Sequence, residues 1–195
     1  MKIKYDMFPT LVVGFTEFIT NDQRKDIVDY LSNEEFVSHK ALLSNKGKST
    51  FHTGQKLLES LENNVSSCKD LKSKIGRMIH DYSITSGFSF NEIGNSWANI
   101  QNVGSVLDEH AHPLSVISGA LYLNVDELSS SLYFQNPNPY LDYTKTIEET
   151  QYSYHWTEIK PQNGLLLLFP SWLKHGSNGQ MNQTEKRIVL SFNTI

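Results

Sequence analysis

Lys186-Arg187-Ile188-Val189-Leu190-Ser191-Phe192-Asn193, close to the C-terminus, reads as a β-strand with two unlike faces. Ile188, Leu190 and Phe192 supply an apolar face, while Arg187, Val189 and Ser191 share the other. An inward arginine needs an anionic partner, because an unpaired buried guanidinium is costly. Its planar fork suits a carboxylate, and Ser191 can add a hydroxyl to the same group. The spacing is equally compatible with a surface arginine whose head is solvated or paired to a protein carboxylate.

Working back from that strand, Ser96 to Asn102, Leu107 to His112, Ser118 to Asn124, Leu132 to Asn136 and Gly164 to Phe169 also read as short strands. Clusters of Gly, Pro, Asn and Ser separate them and suit turns. The first half has a different period. Phe8 to Phe15 is strand-like, and Asn21 or Asp22 can cap a helix carrying Ile27, Val28 and Leu31. From Gln55 to about Tyr82, apolar residues recur at helical spacing as one long or two short helices, ended by Thr85-Ser86-Gly87. Ser38 to Ser49 is polar and irregular, a loop or weak hairpin. Residues 137–160 form a polar insertion with Tyr140, Tyr143, Tyr152 and Tyr154. The fold class expected is mainly β with flanking helices: a sandwich or jelly roll with the N-terminal helices packed on one side. One domain is expected over 1–195, with a helical and strand part over 1–90 and a jelly-roll core over 91–195.

Composition narrows the function. The 195 residues are 38% hydrophobic and 11% aromatic with a net charge of −4, which excludes general disorder. The single cysteine, Cys68, excludes a disulfide framework or a Cys-rich zinc site. Only three arginines occur, Arg24, Arg77 and Arg187, so the slightly acidic chain is a poor candidate for binding nucleic acid through its phosphates. The N-terminus lacks the pattern of a signal peptide, and no apolar run approaches the roughly 20 residues of a membrane span. A cytoplasmic protein is the expectation.

Histidine, with seven copies, is the informative residue. In Asp108-Glu109-His110-Ala111-His112-Pro113, strand alternation points His110 and His112 the same way, with Asp108 on their side and Glu109 on the other. Two converging imidazoles begin a site for iron, nickel, copper or zinc. A third ligand can come from His175, in Ser171-Trp172-Leu173-Lys174-His175-Gly176, since strands about 60 residues apart can be neighbours in a jelly roll. An isolated His-x-His is more often surface or hydrogen-bonded than ligating. The third histidine and the arginine twelve residues beyond it shift the balance toward a metal. His39, His52, His80 and His155 keep ordinary structural readings.

The run from Ser96 to the C-terminus resembles a small bacterial and phage family of 2-oxoglutarate/Fe(II)-dependent oxygenases, of the prolyl-hydroxylase-like superfamily. The matching pieces are Ser96-Trp97-Ala98-Asn99-Ile100, His110-Ala111-His112-Pro113-Leu114-Ser115 and Ser118-Gly119-Ala120-Leu121-Tyr122-Leu123. Further on come Phe134-Gln135-Asn136-Pro137, Pro161-Gln162-Asn163-Gly164, Phe169 to His175 and Arg187 to Asn193. The resemblance implies a double-stranded β-helix, with His110, His112 and His175 as ligands of Fe(II). It also implies Arg187 as anchor of 2-oxoglutarate, with Tyr122 and Asn99 as further co-substrate contacts, beside the ordinary readings of a core tyrosine and a polar strand residue; Ser191 joins them through the face it shares with Arg187. The reaction implied is hydroxylation of a substrate by O2, releasing succinate and CO2. The superfamily's second ligand is a carboxylate where this chain has His112, and Asp108 is the alternative. Lys2, Lys4 and the insertion would line the entrance. β-rich domains of this type often pair, which leaves a homodimer open.

Two rivals stand beside it. Gly104, His110 and His112, then Gly164, Pro170 and His175, fit cupin spacing, which would make a three-histidine dioxygenase or isomerase that does not use 2-oxoglutarate. The glutamate expected after a cupin His-x-His is missing, with Ser115, Val116 and Ile117 in its place. A jelly-roll binding module without chemistry is the other; it predicts scattered histidines and no buried arginine.

Overall fold

In the computed structural model, all residues except 1, 2, 4, 6, 54, 55 and 91 are described. Lys2 and Lys4, suggested for the entrance, lie outside the described residues. Among the described residues, three α-helices form in the first half: α1 (Asn21–Leu31), α2 (Leu57–Asn64) and α3 (Leu71–Ser86). Thr20, not Asn21 or Asp22, caps α1: its hydroxyl accepts from Gln23 N while Gln23 Oε1 accepts from Thr20 N, a reciprocal box. Gly87 ends α3 at φ 75°, a left-handed position that favours glycine.

Among the described residues there are twelve strands: β1 (Val13–Phe15), β2 (Val37–Ser38), β3 (Leu42–Leu43), β4 (Gly47–Ser49), β5 (Ile93–Gln101) and β6 (Val106–Leu107), then β7 (Ile117–Asn124), β8 (Leu132–Gln135), β9 (Trp156–Ile159), β10 (Leu166–Pro170), β11 (His175–Gly176) and β12 (Arg187–Thr194). Seven of them pair antiparallel in the order β1-β10-β7-β12-β5-β4-β2, facing a smaller sheet β11-β8-β9, while β3 pairs with β6. The fold class expected from the sequence is the one observed. The segment 38–49, read as a loop or weak hairpin, is a short hairpin in which β2 pairs antiparallel with β4, and β4 also joins the large sheet beside β5. The insertion is shorter than expected, because β9 within it pairs with β8.

Side-chain alternation explains how the sheet divides the molecule. On β7, β10 and β12, Ile117, Leu121, Leu123, Leu166, Leu168, Ile188, Leu190 and Phe192 face the helices. They pack with Leu57, Leu58 and Leu61 of α2 and Ile75 and Ile79 of α3 in the larger core. Each fully buried Leu or Ile there contributes roughly 1.5–3 kcal/mol. Ser96 Oγ accepts from Leu58 N at 2.9 Å and fixes α2 against β5. The other face turns inward, where Ala120, Tyr122, Leu167, Phe169 and Val189 meet Leu132, Phe134 and Leu173 from the smaller sheet's side. Arg24 reaches from α1 to the Leu123 carbonyl, its Nη1 donating at 2.9 Å. Among the described residues, no helix is long and apolar enough to cross a membrane.

Candidate active site

Register across the large sheet sets out the inner face row by row. Arg187 stands opposite Gln101; Val189 lies between Asn99 and Tyr122; Ser191 lies between Trp97 and Ala120; Asn193 lies between Asn95 and Ser118. These residues line a cavity of about 550 Å³ between the two sheets. The smaller sheet's side closes it with three histidines.

His110, His112 and His175 meet there, with ligand atoms all within 4.8 Å of one another. Their ring centroids are 4.5 Å (His110–His175), 5.0 Å (His110–His112) and 5.1 Å (His112–His175) apart. The backbone explains the convergence. His110 and His175 form an antiparallel bridge, and His112 N donates to the Ser171 carbonyl at 2.9 Å. Gly176 permits the approach: a Cβ there would stand 3.0 Å from the Leu107 and Asp108 carbonyl oxygens.

Two tautomers are fixed. Nδ1 of His110 lies 2.8 Å from the Asp108 carbonyl and Nδ1 of His175 lies 2.8 Å from the Leu173 carbonyl. A carbonyl only accepts, so each Nδ1 carries its proton and each Nε2 keeps a free lone pair. Burial holds the rings neutral, lowering His112 to about 4 and His175 to about 3 and pushing His110 down as well. Three neutral nitrogen donors on one side of a cavity suit a first-row divalent metal.

Asp108 does not join them. Its carboxylate is exposed, and only its backbone carbonyl reaches the site, under His110. Glu109 points away as expected and pairs with Lys174 at 2.8 Å.

Arg187 is buried, and no carboxylate among the described residues pairs with it. Its Nη1 donates to Gln101 Oε1, its guanidinium lies 5.4 Å from the Tyr122 ring centroid, and its Nε has no partner. Burial raises the Tyr122 phenol, and the neighbouring Arg187 partly offsets this. A buried cation with an orphaned donor, facing a cavity, fits an anionic ligand. Asn99 is one row from it and lines the same end. Ser191, expected on the same carboxylate as Arg187, is four residues along the strand, roughly 13 Å away. Its strand partner Trp97 lies 5.9 Å, ring to ring, from His112, and Ser191 lines the same cavity as the histidines.

Sequence reasoning missed Gln101, whose place follows from its parity with Asn99 on β5. It also missed His39, which lines the cavity and stacks in a series with Phe51 (5.3 Å) and, through Phe51, with Trp97 (5.0 Å). No sequence signal placed His39 there, because the fold brings its loop to the mouth.

A double-stranded β-helix whose interior gathers three histidines and a buried arginine defines a metalloprotein of the jelly-roll oxygenase class. A family model described as "Putative 2OG-Fe(II) oxygenase" matches residues 95–193, half of the chain, and the chain belongs to that family. It is therefore an oxygenase that acts on a substrate with O2, with Fe(II) and 2-oxoglutarate as cofactors, and the cupin-type and non-catalytic readings fall away. Comparison with curated protein sequences gave no match.

Solved structures carry the same fold at low identity. A Pseudomonas putida prolyl-4-hydroxylase is 12% identical, with TM-score 0.66 over 95% of this chain and 92% of that one. HygX from Streptomyces hygroscopicus, solved with nickel and 2-oxoglutarate bound, is 10% identical, with TM-score 0.62 over 95% and 82%. A Trichoplax adhaerens prolyl hydroxylase, in complex with a hypoxia inducible factor oxygen degradation domain peptide fragment, is 13% identical, with TM-score 0.63 over 94% and 83%.

Proposed function

We propose that His110, His112 and His175 hold the Fe(II) of this oxygenase and that Arg187 holds the distal carboxylate of its 2-oxoglutarate. The observation that carries the reading is the pairing of two features within one cavity: three converging neutral imidazoles and a buried guanidinium without an anion. Bound there, Fe(II) with 2-oxoglutarate and O2 supplies the oxidising power for substrate hydroxylation, with succinate and CO2 released.

The chain's own residues do the rest. The carbonyls of Asp108 and Leu173 keep His110 and His175 turned with Nε2 inward. Gln101 orients the guanidinium, and the Tyr122 ring beneath it excludes water from the carboxylate end. Asn99 faces the co-substrate between Arg187 and the histidines, and Ser191 faces its metal end. The site is complete without a carboxylate ligand, so Asp108 takes no part. Residues 1–195 act as one catalytic unit in the cytoplasm, with the helices of 1–90 covering the sheet that bears the site.

Succinate release from 2-oxoglutarate, assayed with and without Fe(II), tests the assignment. His175→Ala and Arg187→Met should each lower it at least tenfold while leaving the protein folded. Unchanged release in either variant would remove that residue from the site.

A further inference from the structure

Residues 39–42 form a turn at the mouth of the cavity, braced at three points. Leu42 N donates to the His39 carbonyl at 2.9 Å, which closes the turn, and Ala41 N donates to Nδ1 of the His39 ring at 3.1 Å. The Ala41 carbonyl accepts from Asp108 N at 2.8 Å, two residues before His110. His39 and Lys40 both line the cavity. Burial, helped by the nearby His52, His110 and Lys40, keeps the His39 ring neutral. Since its Nδ1 accepts, its proton sits on Nε2, which is thereby a fixed donor. Lys40 is exposed and forms no ion pair among the described residues.

Charge narrows what such a turn can take. On the reading above, on which this inference rests, one carboxylate of 2-oxoglutarate meets Arg187 and the other meets Fe(II). The three imidazoles are neutral, so part of the metal's charge stays uncompensated where a carboxylate ligand would have cancelled it. Lys40 adds positive charge, and among the described residues no Asp or Glu lines the cavity. Asp108, bonded to the turn through its backbone, has its carboxylate in solvent. A cleft with one sign of charge draws in the opposite sign. The wall between the turn and the histidines is aromatic: His39 meets Phe51 at 5.3 Å, Phe51 meets Trp97 at 5.0 Å and Trp97 meets His112 at 5.9 Å, ring to ring.

We infer that the turn 39–42 recognises the oxygenase's primary substrate, with Lys40 and His39 taking the oxyanion head of a molecule whose apolar stem lies along Phe51 and Trp97 toward the histidines. Lys40 supplies a point charge and His39 a directed N–H, a pair that suits a carboxylate or a phosphate.

The test uses protein loaded with Zn(II) and 2-oxoglutarate, which cannot turn over, and four probes with one stem: hexanoate, hexyl phosphate, hexanamide and hexylammonium. Saturation-transfer NMR should show at least one of the two anions roughly fivefold or more above hexanamide and hexylammonium, and the stronger anion tells carboxylate from phosphate. Lys40→Met should bring the anions down to the level of hexanamide, and Lys40→Glu should turn the preference to hexylammonium. Lys40 is exposed, so neither change threatens the fold. His39→Phe, which keeps a ring and removes the donor, should weaken the anion signal, with calorimetric 2-oxoglutarate affinity unchanged in all three variants. With Co(II) in place of Zn(II), the bound anion should relax fastest at its terminal methyl, the end nearest the metal.

Equal signals from the four probes, no signal from any, or an anion preference that survives Lys40→Met would overturn the inference. Fastest relaxation at the methylene beside the head would put the anion on the metal instead of the turn and overturn it too. In each of these outcomes the parent protein still takes up 2-oxoglutarate, and the histidine and arginine assignments stand. A parent protein that takes up no 2-oxoglutarate would overturn those assignments, and this inference with them.

Discussion

His110 and His175 exchange both of their backbone hydrogen bonds, N to O at 2.9 Å in each direction, across a single antiparallel bridge. The bridge joins residues 65 apart in sequence and places both imidazoles on one side, 4.5 Å between centroids. Gly176, next to the bridge, is what lets the strands come this close. Gly176→Ala would set a Cβ 3.0 Å from backbone atoms of residues 107, 108 and 109, none of which is a flexible side-chain end. The expected cost is about 1–3 kcal/mol in urea unfolding. Co(II) affinity should fall more than tenfold, and stability and metal affinity both unchanged would mean the bridge does not set the site.

Where the resemblance implied a carboxylate, this chain has His112, within the same 4.8 Å cluster. His112→Asp converts the three-histidine set to two histidines and a carboxylate, a set that also holds iron. Co(II) affinity, followed by its visible absorption, should stay within about tenfold of the parent. His175→Ala, by contrast, should lose on the order of 100-fold or more, beyond what outer contacts to a ligand are worth.

Arg187 is a buried cation without an anion in the protein itself. Arg187→Met replaces it with an apolar chain of similar length, so the unliganded protein should be no less stable in urea. Its 2-oxoglutarate affinity should fall roughly 10–100-fold by calorimetry, the worth of hydrogen bonds to a charged group. A large loss of stability with affinity retained would make Arg187 a structural residue.

Away from the site, Tyr82 of α3 is buried and its hydroxyl donates to the Leu11 carbonyl at 2.8 Å, with burial pushing the phenol well above its ordinary value. Below pH about 10 the phenol is neutral in both folded and unfolded chains, and its contribution is whole. Above that, the unfolded chain gives up the proton and the folded one does not, so stability falls as pH rises. Tyr82→Phe should cost about 1 kcal/mol at pH 8 and flatten the decline between pH 10 and 11. Urea midpoints across that range make the comparison.

The residues that alternate strongly were legible from sequence. β12 and β7 announce their faces because both sides are buried and only one is wholly apolar. The hairpin over 38–49 was legible only as a weak one because Gly47-Lys48-Ser49 has no apolar pattern, and the pairing of β4 with β5 was hidden because it comes from a distant backbone. β9 was hidden by its weakly buried edge position. At the site, parity placed His110 and His112 correctly but misplaced Asp108. Regular strand stops at Leu107 and returns only as a bridge at His110, so alternation no longer applies between them. Ser191 shares a face with Arg187 as expected, but four residues of strand separate them, so the two do not meet at one carboxylate group.

The central claim is that one cavity holds Fe(II) on the three histidines together with 2-oxoglutarate on Arg187. Anaerobic optical titration measures it most directly, because a visible charge-transfer band arises only when the metal and the keto acid are bound together. The expected result is a band that needs protein, Fe(II) and 2-oxoglutarate at once, saturates at one iron per chain, and is lost in His175→Ala. No band at saturating concentrations of both, or the same band in His175→Ala, would contradict it.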